Sequence, residues 1–219
     1  MDQGGIKAKV INRQMLTDTI IELTIETYQE VKVVPGQSAL FLLEDDQGTF
    51  ERYYSIVDQD TDNERTMLIF AIKLSTNGRG TTAIKNIHIG NEVMIKGIFG
   101  NFILQDTQLP KVFIGTGIGI VPLINMAKYC MTEKQLFFSV STQQDLFYEE
   151  RIKKIHGLGY EIHISQESIP GYAPGRIDIT KTYFDPATEF YVCGKPEIID
   201  NIIENLTFLG FKRIYSEKF

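Results

Sequence analysis

Two different periods divide this chain. In the first half apolar residues recur at every second position in short runs. Ile21-Glu22-Leu23-Thr24-Ile25-Glu26 alternates as a half-buried strand does. Ala39–Leu43 predicts a buried strand after the Pro35-Gly36-Gln37 turn, and Arg52–Val57, Met67–Ile72 and Val93–Gly97 predict further strands. Short strands with regular turn signals predict an antiparallel β-barrel or sandwich. Within this half, Asn77–Asn86 reads as a glycine-bearing loop running into a short helix capped by Thr81 or Thr82.

After Phe102 the period changes. The polar stretch Leu104–Pro110 reads as a connection between domains, and strands then alternate with helices. Val112–Ile114, Leu136–Val140, Tyr160–Ile164, Phe190–Val192 and Lys212–Tyr215 predict strands. Pro122–Met131, Leu146–His156 and Pro196–Leu209 predict helices. Such β-α alternation implies a parallel sheet with helices on both faces and a ligand at the carboxyl ends of its strands. The expected organisation is a β-barrel domain over 1–106 followed by an α/β domain over 107–219.

Composition narrows the function classes. Hydrophobic content of 43% and charged content of 23% are those of a globular protein. Residues 1–107 carry 10 basic and 15 acidic side chains, and 108–219 carry 12 and 13, so the −6 net charge sits mostly in the first half. With no Lys/Arg-rich stripe, nucleic acid is excluded as a partner. The run Val112–Ala127 is too short and too interrupted to span a bilayer, and Met1–Gly5 shows no secretory signal. Two cysteines and three scattered histidines give no metal cluster, and a reducing cytoplasm fits.

The chemistry concentrates in a few places. Arg52-Tyr53-Tyr54-Ser55 combines a guanidinium, two rings and a hydroxyl. On a strand Arg52 and Tyr54 share one side, which suits a ligand with both a phosphate and a planar ring. A short helix after Gly78-Arg79-Gly80 would offer free N–H groups to phosphate. Gly115-Thr116-Gly117-Ile118-Gly119 follows a strand but departs from the dinucleotide fingerprint, with its third glycine one residue early and no acidic residue closing the next strand. Cys193-Gly194-Lys195-Pro196 lies at another strand-to-helix junction.

Taken in order, these pieces resemble the ferredoxin–NADP reductase superfamily of flavoprotein reductases, nearly end to end. Arg52-Tyr53-Tyr54-Ser55 is similar to its R-x-Y-S motif, and Gly78–Thr82 to its second flavin-phosphate motif. Gly97-Ile98-Phe99-Gly100-Asn101-Phe102 resembles G-P-F-G-x-F, with Ile98 in place of proline. Gly115–Pro122 resembles G-T-G-I-A-P with two residues inserted before the proline or an altered loop, Tyr191–Pro196 resembles Y-x-C-G-x-P, and Glu217-Lys218-Phe219 resembles E-x-aromatic.

The resemblance implies FAD rather than FMN as cofactor and NADH or NADPH as donor. Flavin contacts fall to Arg52, Tyr53, Tyr54, Ser55, Lys73, Gly80, Thr81, Thr82 and Phe219, and nucleotide contacts to Gly115, Thr116, Gly117, Ile118, Ser141, Cys193, Gly194 and Pro196. Ser55, Cys193 and Glu217 are the implied catalytic residues. Many relatives carry arginine where Ser141 stands, and no Lys or Arg lies between Lys134 and Arg151, which favours NADH unless Arg176 reaches in from another loop. The implied activity is hydride transfer from NAD(P)H to flavin, with electrons leaving to a separate ferredoxin, flavodoxin, free flavin or oxygenase component. Lys73, Arg79, Lys85 and Lys96 are candidates for a basic docking patch. The alternatives are an electron-transfer subunit that does not itself oxidise NAD(P)H, and a flavin-free binding module.

Overall fold

A computed structural model describes residues 5–62, 64–74 and 78–219. Asn77, the first residue of the expected glycine loop, and Met1–Gly4 of the amino-terminal stretch lie outside the described residues. The chain divides into two compact units, Met1–Ile103 and Leu104–Phe219.

The first unit is a closed barrel of six antiparallel strands. They are β1 (Ile6–Thr17), β2 (Ile20–Thr27), β3 (Ser38–Asp45), β4 (Gly48–Asp62), β5 (Arg65–Lys73) and β6 (Glu92–Phe99), in the order β1-β2-β5-β4-β3-β6. Bulges interrupt the ladders between Val10 and Asn12, between Leu40 and Phe41, and between Ile56 and Asp58. Such irregularities bend and twist strands, which is what closure of a sheet needs. They also explain why β1 escapes a pattern search. Ile6, Ala8 and Val10 alternate inward, but the bulge after Val10 resets the phase, so one period never covers Ile6–Thr17. Ile21, Leu23, Ile25, Phe41, Ile56, Leu68 and Phe70 are fully buried inside the barrel, with Phe41 and Phe70 edge to face.

Helix α1 (Arg79–Lys85) packs its Ile84 into this core. The expected threonine cap is corrected here. The helix starts earlier, the N-cap is Gly78, and no side chain caps it; the Thr82 hydroxyl instead faces the Gly78 carbonyl at 3.5 Å.

The second unit is a six-stranded sheet ordered β10-β9-β8-β7-β11-β12. Its elements are β7 (Lys111–Thr116), α2 (Ile120–Tyr129), β8 (Lys134–Val140), α3 (Glu149–Lys153), β9 (Leu158–Ile164), β10 (Ala173–Pro174), β11 (Glu189–Gly194), α4 (Pro196–Phe208) and β12 (Ile214–Lys218). All its pairings are parallel. Ile199, Ile202 and Leu206 of α4 pack on Val112, Ile114, Phe190 and Val192, which fixes α4 on one face. On the other, buried Lys134 donates to the α2 carbonyls of Ala127 and Cys130 at 3.0 and 2.6 Å, capping that helix's carboxyl end.

Three expected elements shift. The α2 helix begins two residues early, with Pro122 in its first turn, where a missing N–H costs nothing. The expected helix Leu146–His156 shrinks to Glu149–Lys153. Phe147 is buried edge-on against Phe138 and keeps the chain extended, and Tyr148 then adopts φ 61° before the helix begins. The last strand lies later than expected, at Ile214–Lys218, so Glu217 is a strand residue paired with Cys193.

Candidate functional site

The barrel carries the first constellation, on β4. Phe50, Tyr54 and Ile56 point inward, and Tyr54 meets Phe41 edge to face at 5.3 Å. Burial pushes the Tyr54 phenol up to about 12, against the pull of the neighbouring Arg52 charge. A Cβ at Gly80 would stand 3.2 Å from the Tyr54 hydroxyl and 3.3 Å from Arg52 Cγ, so α1 begins against these two side chains only because Gly80 has none.

Two arginines flank Phe50 here and differ in charge balance. Arg79 lies 4.1 Å over the Phe50 ring and grips Asp45 with both arms (Nη2 to Oδ1 2.6 Å), also donating to the Gly48 carbonyl at 2.9 Å. The Arg79 hydrogen bond holds the Asp45 carboxyl below the usual carboxylate range. Arg52 lies 5.1 Å over the same ring but donates only to its neighbour's carbonyl, Glu51 O, at 2.7 Å; among the described residues no carboxylate pairs with it. An unneutralised guanidinium beside a helix whose first turn holds Gly80 fits a phosphate.

Other expected flavin residues are spread around this point. Ser55 is buried with its hydroxyl 3.3 Å from that of Ser38, and Tyr53 is exposed with its ring edge-on to Phe99. Thr81 is buried in α1, Thr82 is exposed, and Lys73 ends β5 on the surface. The expected basic patch loses two members, since Arg79 pairs with Asp45 and Lys96 with Glu51 at 2.5 Å.

The second unit carries the other constellation, where the strand order reverses between β7 and β11. In open parallel sheets a crevice for ligand forms at such a point, outside the carboxyl ends of the strands. Gly115–Gly119 leaves β7 there, and Cys193-Gly194 ends β11 there. A Cβ on Gly119 would lie 2.3 Å from the Cys193 carbonyl oxygen, and one on Gly194 would lie 1.9 Å from Thr116 Oγ1. Gly117 has open space around it but φ 54°. The motif's glycines therefore answer two needs, close approach at Gly119 and Gly194 and left-handed backbone at Gly117. Residues Gly117–Gly119 form a 3₁₀ turn that runs straight into α2. Thr116 Oγ1, buried in this fold of backbone, has no hydrogen-bond partner among the described residues.

On the face opposite α4, Cys193 and Glu217 are register partners across β11 and β12. Burial, with the neighbouring Glu217, raises the Cys193 thiol well above its usual range, and burial alone raises the Glu217 carboxyl. Glu217 Oε2 is buried with no hydrogen-bond partner among the described residues. Phe219 is half-exposed and donates its backbone N–H to the Gly194 carbonyl at 3.1 Å. Ile118 lies in the 3₁₀ turn and Pro196 opens α4.

Beyond β8, Ser141 begins a turn closed by a capping box in which Asp145 accepts from the Thr142 amide at 3.0 Å and hydroxyl at 2.8 Å. The Gln143 amide donates to Glu167 Oε2 at 2.7 Å. Sequence reading missed both carboxylates. The T-x-x-D spacing of Thr142 and Asp145 is a readable signal, whereas Glu167 arrives from the loop after β9 and has no local one.

Comparisons with known proteins agree with this architecture. Residues 7–103 match the oxidoreductase FAD-binding domain family. The chain is 29% identical over 227 residues to the reductase component of propane 2-monooxygenase from Mycolicibacterium smegmatis, covering 90% of this chain and 63% of that protein. It is 26% identical over 203 residues to the electron transfer subunit of dihydroorotate dehydrogenase B (NAD(+)) from Caldanaerobacter subterraneus, covering 91% and 76%. A ferredoxin NADP+ reductase from Neisseria gonorrhoeae, solved with FAD and NADP, superposes with a TM-score of 0.84 at 19% identity, covering 97% of each chain. The fold is that of the ferredoxin–NADP reductases. Residues 7–103 match an oxidoreductase FAD-binding domain, and over the full chain the likeness to the solved reductase is one of fold.

Proposed function

We propose that this protein is an NAD(P)H-dependent flavoprotein reductase that holds FAD in the domain spanning 1–106, oxidises the nucleotide through the domain spanning 107–219, and passes electrons to a separate acceptor. The observation that carries this reading is the pairing of buried Cys193 with half-buried Glu217 beside the Gly115–Gly119 turn, at the strand-order switch of a chain whose residues 7–103 match an FAD-binding domain. FAD, when bound, takes up two electrons as hydride and hands them on singly. Arg52 and the Gly80-Thr81-Thr82 start of α1 would neutralise its phosphates, Tyr54 would stack on its ring system, Ser55 would hydrogen-bond near its reactive nitrogen, and Tyr53, Lys73 and Phe219 would complete the contacts. The turn of Gly115, Thr116, Gly117 and Ile118, with Gly194 and Pro196, would hold the dinucleotide. Cys193 would lie beside its nicotinamide, and Glu217 would hold or relay a proton.

The preferred donor is NADH. A 2′-phosphate next to Ser141 would meet Asp145 and Glu167, whose carboxylates already take the Thr142 and Gln143 amides. Like charges there disfavour NADPH. The acceptor is a ferredoxin, flavodoxin, free flavin or oxygenase component, and the free thiols of Cys130 and Cys193 suit a reducing cytoplasm.

Anaerobic titration of the flavin absorption spectrum with NADH and with NADPH tests the reading. Bleaching, at lower concentration with NADH, supports it. The similarity to the dihydroorotate dehydrogenase subunit favours a second reading, an electron-transfer subunit that is reduced by its partner; a flavin spectrum that neither nucleotide bleaches would establish that one instead.

A further inference from the structure

Below the Cys193–Glu217 pair, on the same sheet face, lies a column of rings. Side chains at register positions of parallel strands share a face, and every second residue returns to it. Tyr191 and Tyr215 are thus the pair immediately beneath Cys193 and Glu217. Their rings stack at 5.0 Å with 21° between planes, and Phe113 of β7 continues the row, 5.3 Å from Tyr191.

The inner ring of the pair is anchored. Tyr191 is fully buried; its hydroxyl accepts from the Gln105 amide at 3.0 Å and donates towards Glu189 Oε2 at 3.4 Å. Glu189 is held in turn by the Thr107 hydroxyl at 2.9 Å and by buried Lys111 at 3.4 Å, and Lys111 also donates to the carbonyls of Thr107 and Leu109. The outer ring, Tyr215, is half-buried on the edge strand β12, which among the described residues pairs only with β11. Glu217 sits two residues further along that edge, half-buried, yet its Oε2 is buried without a partner among the described residues. Along the chain, Tyr215 and Phe219 are the side chains that flank Glu217 on this face, and Tyr215 is the one held in the stack.

We propose that Tyr215 is a positioning residue: stacked on the anchored Tyr191, it closes the sheet edge beside Glu217 and keeps that carboxyl in a water-poor place next to Cys193. The proposal rests on the role given above to Glu217. The titratable groups on this face around Glu217 are Cys193 and Tyr191 of β11 and Tyr215 itself, with the Glu189–Lys111 pair lower in the column. Lys218 alternates to the other face and pairs with Asp200 of α4 at 2.5 Å, so it supplies no counter-charge.

The test compares the FAD-loaded wild type with Tyr215→Phe and Tyr215→Thr; threonine removes the ring but keeps strand propensity. Two readouts are taken. One is the ¹³C-carboxyl NMR titration of Glu217, assigned by its loss in Glu217→Gln. The other is the pH dependence of single-turnover flavin reduction by NADH. We expect the Glu217 midpoint to fall by about one pH unit in the threonine variant and to stay in place in the phenylalanine variant, which keeps the stack. An unmoved midpoint in a folded threonine variant would overturn the proposal; should that variant not fold, Tyr215→Val is read by the same criterion. A midpoint that moves while the rate and its pH profile do not would uphold the positioning of Glu217 and sink the catalytic role assigned to it.

Discussion

The barrel corner and the sheet-edge corner are built on opposite principles. On β4 the chain sets out a charge and leaves it unbalanced. Arg79 is tied to Asp45, while Arg52, over the same phenylalanine, is left with a single carbonyl among the described residues. At the strand-order switch of the second domain, the turn Gly115–Gly119 contains no charged residue at all; it works by close approach, Gly119 on the main chain of Cys193 and Gly194 on the side chain of Thr116. A charge can be deleted with the fold intact, because its desolvation and pairing energy belong to the ligand. A close approach cannot, because the first carbon added collides with main chain that has nowhere to go.

The widest separation between the two corners is expected from paired substitutions. Arg52→Ala should weaken FAD retention by about 2 kcal/mol, or roughly thirtyfold, while leaving thermal stability unchanged; flavin fluorescence titration and a melt of the apoprotein measure both. Unchanged flavin affinity would refute the assignment of Arg52. Gly119→Ala should behave in the reverse sense, costing about 2 kcal/mol of stability from overpacking and losing nucleotide binding with FAD still retained. A folded, nucleotide-binding alanine variant would show that the Cys193 carbonyl yields.

A smaller effect sharpens the picture of the uncharged edge. Adding a cation with Ser141→Arg should shift the preference towards NADPH by about tenfold in kcat/KM, the worth of one exposed charge–phosphate contact; no shift would place the 2′-position elsewhere. The Glu217 carboxyl gives a pH-dependent difference. Its folded value is raised above the ordinary 4.5, so the folded state favours the protonated form. The stability it confers is present below the ordinary value and is lost as pH rises through the raised one. Glu217→Gln should therefore melt higher than the wild type at neutral pH, with the gap closing in acid; equal melting at every pH would contradict a buried, unpartnered carboxyl. Least of all, Arg79→Ala should change FAD retention by less than about fivefold, since its charge is already balanced by Asp45 in a half-buried pair. A loss as large as that from Arg52 would erase the distinction between the two arginines.

How much of this was legible beforehand depended on the range of the interactions. The alternation of Ile21–Glu26 and the β-α alternation after Pro110 predicted a barrel and a parallel sheet, although the strand expected to be half-buried is covered on both faces, Glu22 and Thr24 included. The glycines at 115, 117 and 119 could be read as a turn, but their separate tasks could not, since the atom that excludes a side chain from Gly119 belongs to Cys193. Strand β1 stayed hidden behind a bulge, and the helix expected from Leu146 gave way to Phe147 packing on Phe138.

By itself, then, the order of residues determined the two periods, the composition of both corners and the family they resemble, for these are properties of neighbours along the chain. The tertiary structure alone decided which arginine keeps its charge, which glycines touch, and that Glu217 stands beside Cys193 above a tyrosine stack. Those depend on Asp45 meeting Arg79 and on β12 aligning with β11, contacts made across long separations in sequence that no local pattern encodes.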